Sequence, residues 1–448
     1  MTEERRTRPA YSCDVAVIGG GPAGAATAAL LARKGRDVVL FEKGHHPRFH
    51  IGESLLPQTL PLLQQLGVLE QVHETIGIPK PGAEFCSDTH PNVQHTYYFC
   101  EAWDKDWPHS YEVRRSEFDK ALFDNATREG VRTFEGMRVG AIEFGGAQNN
   151  RMHVKAEDGS EQVWSARQII DASGRDTLLA SRNKLKEKSR KHNSAALYGH
   201  YRNVERKPGA DEGNITVCWF KHGWLWLIPL RDGTTSVGAV CWPEYMKTRD
   251  CPPAEFLQRT LALSPAMSAR MQHAELAGEV QATGNFTYSA RTASGEGYLL
   301  VGDAFAFLDP VFSSGVHLAL HSAFKAAEVV NVVLDHPERA PRLTREYERY
   351  MRRGMKKFEW FIYRFNTRAM EYLFMSPREI QRMPEAVTTM LAGDVFRKTP
   401  IRRSLFFFRV VYYVTTVVNF KATLAAWFRR RRNMRTVFTG GTTPVDPL

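Results

Sequence analysis

The stretch Tyr11–Gly44, YSCDVAVIGGGPAGAATAALLARKGRDVVLFEKG, decides the fold. Asp14–Ile18 is a short apolar run with the character of a buried strand. Gly19, Gly21 and Gly24 follow as G-x-G-x-x-G and open an alanine-rich helix that runs to about Lys34. Asp37–Phe41 is a second apolar strand, closed by Glu42. Each glycine has its own physical task. Gly19 permits a tight turn, Gly21 lets the backbone approach a pyrophosphate, and Gly24 lets helix and strand pack closely. The helix N-terminus offers unsatisfied N–H groups to the phosphates, and Glu42 is placed to accept ribose hydroxyls. Strand, helix, strand and acid in this register predict an α/β protein with a Rossmann-like dinucleotide site.

The rest of the chain sets bounds on that reading. Its 448 residues suffice for one large or two interleaved domains with a sizeable core. With 43% hydrophobic and 24% charged residues, it is neither collagen-like nor a disordered polymer. The six cysteines (Cys13, Cys86, Cys100, Cys218, Cys241, Cys251) show no CxxC or CxxH spacing. No metal site is expected, and the cysteines read as reduced core residues of a cytoplasmic protein. The start, MTEERRTRPA, lacks the apolar segment of a secretory signal.

Two later segments extend the pattern. Gln168–Asp176, QIIDASGRD, is an apolar strand ending at Asp171. Gly297–Val330, GYLLVGDAFAFLDPVFSSGVHLALHSAFKAAEVV, is a strand ending in Gly302-Asp303, a loop, and a long helix from about Gly315. Ser313-Ser314-Gly315 at that helix start suits both side-chain capping and binding of an anion. Gly223–Gly233, GWLWLIPLRDG, alternates on a strand: Trp224, Trp226 and Ile228 on one face, Leu225 and Leu227 on the other. Both faces are apolar, so the strand is expected to be buried on both sides and to stop at Pro229.

The three nucleotide-type segments together resemble the flavoprotein monooxygenase family in the broad sense, over residues 12 to about 395. In that family the aspartate at the position of Asp303 contacts the ribityl chain. Four further features resemble the flavin-dependent halogenases. These are Trp224-x-Trp226-x-Ile228-Pro229, the run HPRFHIGESLLPQTLPLLQQLGV (His46–Val68), Phe307-x-x-Pro310-x-x-Ser313-x-Gly315, and Lys80 within GIPKPGAEF.

The resemblance implies a FAD-binding fold of the glutathione-reductase and monooxygenase type over residues 1–395. It would carry an inserted substrate-binding sheet at about 80–120 and 190–290, with a basic helical region at 396–448. It implies flavin contacts from Gly19, Gly21, Pro22, Ala23, Gly24, Glu42, Lys43, Arg48, Ser54, Asp171, Gly302, Asp303, Gly315 and Val316. It also implies a chloride or bromide held near Ser314 and Gly315. Reduced flavin (FADH2), supplied by a separate flavin reductase, would react with O2 to give a flavin hydroperoxide. Halide would convert this to hypohalous acid, which would travel to Lys80 beside an electron-rich aromatic substrate. Lys80 would hydrogen-bond the oxidant or become a haloamine. Ile78, Pro79, Pro81 and Phe85 give it an apolar setting, which lowers an amine's pKa and raises its nucleophilicity.

One departure is informative. The tryptophan-halogenating branch carries a glutamate where this chain has Phe312. The chain is closer to the branch acting on pyrroles and phenols, often tethered to acyl or peptidyl carrier proteins in secondary metabolism. No second acid–base residue beside Lys80 is evident; His109, His317 and His321 read as surface or packing histidines. The alternatives on the same fold are an aromatic hydroxylase, a prenyl-lipid reductase, and a non-catalytic membrane flavoprotein.

The formal net charge is +11, and Arg397–Arg435 alone holds eleven Lys and Arg with no acid. Inside it, Ser404–Phe428 is apolar and aromatic, with Arg409, Thr416 and Thr423 recurring every seven residues. The eleven uncharged residues between Arg409 and Lys421 fall short of the roughly 20 that span a bilayer. Two placements are open: a helix lying on the inner face of an anionic membrane, and a helix docked on its own core. A third reading docks an acidic carrier protein on the arginines. Nucleic acid is not expected, because no DNA-binding motif accompanies the charge.

Overall fold

The structure is a computed structural model that describes residues 11–90, 93–146, 149–189, 193–284 and 287–420, with 424, 428 and 431. Its frame is an eight-stranded sheet in which Ser12–Ile18 lies between Val38–Phe41 and Glu161–Asp171. Tyr298–Leu300 and Arg132–Phe134 flank these strands, and all four pairings along this run are parallel. Central strands buried on both faces must be apolar throughout, and every residue of Cys13–Ile18 and Val38–Phe41 is buried. The helix Pro22–Ala32 follows the glycine turn and packs between the helices Arg115–Arg128 and Ser314–Asp335. A parallel Rossmann-type frame of this kind opens its crevice at the C-terminal ends of the parallel strands.

A second eight-stranded sheet is mostly antiparallel. Its order is Glu275–Leu276, Ala195–Arg202, Thr235–Cys241, Gly223–Pro229, Ile215–Phe220, Gly82–Ser87 and Gln94–Tyr98, with Gln281–Gly284 added on Ala195–Arg202. The tryptophan strand is therefore central, and it ends at Pro229. Its alternation separates two apolar clusters. Trp224, Trp226 and Ile228 join the main core shared with the parallel sheet. Leu225 and Leu227 face a smaller cluster capped by Phe256, Leu257 and Leu261 of the helix Pro253–Leu261.

Lys80 lies in a short strand, Gly77–Lys80, paired antiparallel with Ser110–Val113. Toward the C-terminus, the helices Ala340–Ile362, Arg368–Met375, Met383–Leu391 and Arg402–Val418 cover the core. One side of the last of these is docked on the core, as one of the two expected placements has it. Phe408 and Tyr412 are buried, with Phe408 stacked on Phe361 and Tyr412 edge-on to Trp360. The opposite side exposes Phe406, Val410, Tyr413, Val417 and Phe420. Arg409 lies over the Trp360 ring at 4.9 Å, and Thr416 returns its hydroxyl to the Tyr412 carbonyl. Lys421, Thr423 and Trp427 lie outside the described residues. No helix among the described residues is long and apolar enough to cross a membrane.

The cysteine expectation needs correction: all six are free, but Cys100 is exposed and Cys251 half-buried. Cys100 is the middle residue of a surface turn at Phe99–Glu101, where its neighbour Phe99 takes the buried position instead.

Candidate active site

The glycine turn has the tightness its sequence requires. Gly19 adopts φ +105°, and a Cβ there would collide with the Ala172 carbonyl. A Cβ on Gly24 would collide with the Gly19 carbonyl oxygen and lie 3.1 Å from the Ala172 methyl. Gly21 differs: the nearest atom to its Cβ position is Arg48 Nη2 at 3.9 Å. The space before Gly21 is thus open, as a pyrophosphate cradle must be. Pro22 opens the helix, where a missing N–H costs nothing, and Ala23 abuts Gly302.

Glu42 ends its strand beneath this turn. Its carboxylate accepts from the Gly20 and Gly44 N–H groups at 2.7 and 3.0 Å, and Arg48 Nη2 lies 3.3 Å away. Burial pushes its pKa up, yet Arg48 and the two N–H donors outweigh it and hold it low. Arg48 keeps a buried Nε without a hydrogen-bond partner among the described residues, a donor left over for an anionic or carbonyl ligand. Lys43 instead forms an exposed ion pair with Asp176 at 2.6 Å.

Asp171 and Asp303 sit at the ends of neighbouring parallel strands but differ in use. Asp171 is fully buried and accepts from the Ser173 and Leu179 N–H groups at 3.0 and 2.7 Å, fixing the turn after its strand. Asp303 follows Gly302, which has φ +56°. No hydrogen bond reaches its carboxylate among the described residues. Burial raises it to about 6, against the pull of Arg175 and Arg115. An unengaged carboxylate at this crevice, with the open cradle at Gly21 and the spare Arg48 donor, fits a bound flavin dinucleotide.

The turn before the helix Ser314–Asp335 departs from simple capping. Ser313 occupies the N-cap position with φ +54°, and its hydroxyl makes no capping bond. A capping serine ordinarily has extended dihedrals that carry its oxygen over the first-turn N–H groups; the left-handed conformation does not. The first-turn N–H groups of this helix therefore receive no cap from the Ser313 hydroxyl. Ser314 is buried, a Cβ on Gly315 would meet nothing within 4 Å, and Val316 is buried in the core. Phe307 lies under the Arg175 guanidinium at 5.4 Å, and Pro310 opens the preceding turn. Phe312 is core, edge-on to Phe365 at 5.4 Å.

Lys80 is 1% exposed. Its Nζ donates to Ser54 Oγ at 2.7 Å and to the Leu55 carbonyl at 3.0 Å, and lies 5.3 Å from the centre of the Phe99 ring. Four residues further on, Thr59 meets His317 in the first turn of the helix Ser314–Asp335, Oγ1 to Nδ1 3.2 Å. The segment 54–59 therefore ties the lysine to the start of that helix. Ser54 engages Lys80 directly. The pairing of Gly77–Lys80 with Ser110–Val113 brings Glu112 to 3.8 Å from Lys80 Nζ. Sequence reading missed Glu112. Its only signal is an acid alternating with Tyr111 and Val113 in a short strand, which places Ser110 and Glu112 together on one face.

The Trp224 and Trp226 rings lie 5.6 Å apart, and Trp226 continues into Tyr198 at 6.1 Å. The three histidines are packing groups: His109 reaches the Tyr111 hydroxyl and His321 that of Tyr350, while His317 holds Thr59. No cluster of three or more metal-ligating side chains occurs among the described residues.

The model of the FAD binding domain family matches residues 12–358. The flavin-dependent halogenase gsfI of Penicillium aethiopicum is 35% identical over 352 residues, 72% of this chain and 65% of the relative. The chain thus spans just under two thirds of that relative's length. The 1H-pyrrole-2-carbonyl-[peptidyl-carrier protein] chlorinase of Pseudomonas fluorescens is 30% identical over 413 residues, 86% of this chain and 90% of the relative. Among solved structures, a flavoprotein/dehydrogenase from Cytophaga hutchinsonii superposes with a TM-score of 0.83 at 28% identity, covering 91% of this chain and all of that one. The myxobacterial chondrochloren halogenase CndH, a variant of FAD-dependent halogenases, superposes with a TM-score of 0.75 at 30% identity, covering 92% and 97%.

Proposed function

Since the chain belongs to the flavin-dependent halogenase family and carries its FAD-binding domain, we propose that it halogenates an electron-rich aromatic carbon, with Lys80 as the residue that presents the oxidant. The observation that carries the reading is the tie from Lys80 through Ser54, Leu55 and Thr59 to the open start of the helix Ser314–Asp335. When bound, reduced FAD with O2 supplies the two-electron oxidation of chloride or bromide. Gly19, Gly21, Gly24 and Glu42 would hold the dinucleotide, Arg48 its anionic part and Asp303 the ribityl hydroxyls. The uncapped N–H groups beside Ser314 and Gly315 would hold the halide. The protein's own task is then to deliver a positive halogen equivalent and to keep water and the flavin from taking other routes.

Lys80 suits that task because its amine is desolvated. Burial drives its pKa down, partly opposed by Glu112. The Lys80 ammonium hydrogen-bonds hypohalous acid and passes a proton to its hydroxyl oxygen as the oxygen–halogen bond breaks; the aromatic carbon takes the halogen and then loses its own proton, so that water leaves. Trp224 and Trp226 form a wall of the main core, which supports a screening role between flavin and substrate.

Phenols and pyrroles are the substrate classes of choice. The Pseudomonas fluorescens relative acts on a pyrrole carried by a peptidyl carrier protein, and a carrier-tethered substrate is proposed here too. Reduced flavin would come from a separate reductase. A second feature concerns location. The outward row of Phe406, Val410, Tyr413, Val417 and Phe420 in a segment without acids favours peripheral contact with an anionic membrane face.

The test is product mass. The protein is supplied with FAD, a flavin reductase, nicotinamide, O2 and either chloride or bromide, over free and carrier-tethered phenols and pyrroles. A chlorine or bromine isotope pattern that follows the added halide supports the reading. Hydroxylated product independent of halide would replace it with a hydroxylase.

A further inference from the structure

The buried polar cluster around Lys80 contains more than the halogenation reading uses. Lys80 Nζ donates to Ser54 Oγ at 2.7 Å, and Ser54 Oγ donates to Glu112 Oε1 at 3.2 Å. The hydroxyl is thus acceptor and donor at once, and it bridges amine and carboxyl, which lie 3.8 Å apart. Glu112 is fully buried, and its Oε2 has no hydrogen-bond partner among the described residues. A buried acid with half its carboxyl unsatisfied is costly to keep unless it does something.

We propose that Glu112 is the proton partner of Lys80, acting through Ser54 as a positioning residue. This rests on the role given to Lys80 above. In the step, one Nζ–H proton moves to Ser54 Oγ as the Ser54 hydroxyl proton moves to Glu112 Oε1. Ammonium and carboxylate become amine and carboxylic acid, and the reverse step restores them. Only N–H and O–H bonds change. The carboxylate keeps a proton within reach of Nζ in a place where burial alone strips it.

The groups facing Glu112 set the balance. Burial, with a smaller push from Glu53, raises Glu112 to about 8 against the pull of Lys80 and Ser54. Glu53 is itself held by His200, Oε1 to Nε2 2.7 Å, and His200 Nδ1 faces Arg114 at 3.4 Å. Lys80 is lowered by burial and raised by Glu112. Removing the carboxylate therefore makes Lys80 lose its proton at lower pH.

The experiment is Glu112→Gln in the full-length, flavin-loaded enzyme. Halogenation kcat is expected to fall on the order of a hundredfold, with KM little changed. The alkaline limb of the pH–rate profile is expected to move down by about one unit or more. Glu112→Asp is expected to recover part of both. In flavin-free protein labelled with 15N at lysine side chains, and with Lys80→Arg to assign the signal, Lys80 is expected to deprotonate at lower pH in Glu112→Gln. A folded Glu112→Gln that is slow, but has both titrations at the wild-type position, would make Glu112 mere scaffolding and overturn the proposal. So would a wild-type rate and profile. Normal halogenation by Lys80→Ala would instead overturn the lysine reading, and this inference with it.

Discussion

Trp226 stands directly opposite Gly238 in the second sheet, and its ring fills the place a side chain at 238 would take. A Cβ on Gly238 would strike the indole and lie 2.8 Å from the Leu197 carbonyl. The indole N–H meanwhile reaches Ser236 Oγ at 3.2 Å, which fixes the ring over the glycine. Gly238→Ala should therefore destabilise the fold by about 1–3 kcal/mol through overpacking. Denaturant unfolding followed by tryptophan fluorescence checks this; an unchanged midpoint and spectrum would mean the ring is free to move aside.

If the tryptophan wall screens substrate from flavin, shrinking it should change the product as well as the rate. Trp224→Ala with Trp226→Phe is expected to form hydroxylated product alongside halogenated product. Both are measured by mass spectrometry of the same reaction. Halogenation with no new product would reduce the pair to core packing.

Gly21 and Gly24 separate binding from folding. Gly21 faces open space, so Gly21→Val should fold with near-normal unfolding behaviour yet bind no flavin. Gly24→Val places atoms inside the Gly19 carbonyl and should fail to fold or lose several kcal/mol, of the order of the largest core substitutions. Flavin absorbance and thermal unfolding of the two variants should therefore diverge. Equal behaviour in both would contradict the open cradle.

Asp303 carries a charge that its burial penalises. Its carboxyl is raised to about 6 in the folded protein, so between that value and the unfolded one, near 3.9, the native state binds the extra proton. Stability linked to this group is present at low pH and lost as pH rises through about 6. Asp303→Asn should stabilise the flavin-free protein at pH 7 more than at pH 4, while weakening flavin binding by about tenfold or more, roughly 1.4 kcal/mol. Calorimetric melts at both pH values, with flavin titration, read both effects. A melt equally shifted at both pH values would show that the charge is not the cause.

Much of this was legible because it is local. Gly19, Gly21 and Gly24 answer to a turn and its helix within six residues. Trp224, Trp226 and Ile228 part from Leu225 and Leu227 by the two-residue period of a strand. Glu112 was not legible, because nothing in the spacing of residues 54, 80 and 112 relates them. Only the pairing of Gly77–Lys80 with Ser110–Val113, and the bridge from Ser54 to Glu112, bring them together. Ser313 misled for another reason: residue type favours a cap, while the residue adopts a left-handed backbone and its hydroxyl makes no capping bond. The tail was half legible, since its apolar excess does not say which side is docked.

The tail supplies the last prediction. Removing it whole would strip Phe408 and Tyr412 from Trp360 and Phe361, so loss of function would not distinguish docking from membrane binding. Changing only the outward row separates them. Phe406, at 68% exposed, and Val417, at 72%, touch little of the protein. Phe406→Ser with Val410→Ser and Val417→Ser should leave thermal stability within about 0.5 kcal/mol, as for surface changes elsewhere. The same variant should lose most binding to vesicles containing phosphatidylserine, since the apolar contact is gone. The basic residues contribute about 1 kcal/mol each near such a surface, so wild-type binding should weaken with salt without vanishing. Vesicle co-sedimentation at two salt concentrations measures both parts. Equal sedimentation of wild type and variant, or none by either, would leave the row without a lipid partner. Binding kept only on addition of an acidic carrier protein would assign the face to that partner instead.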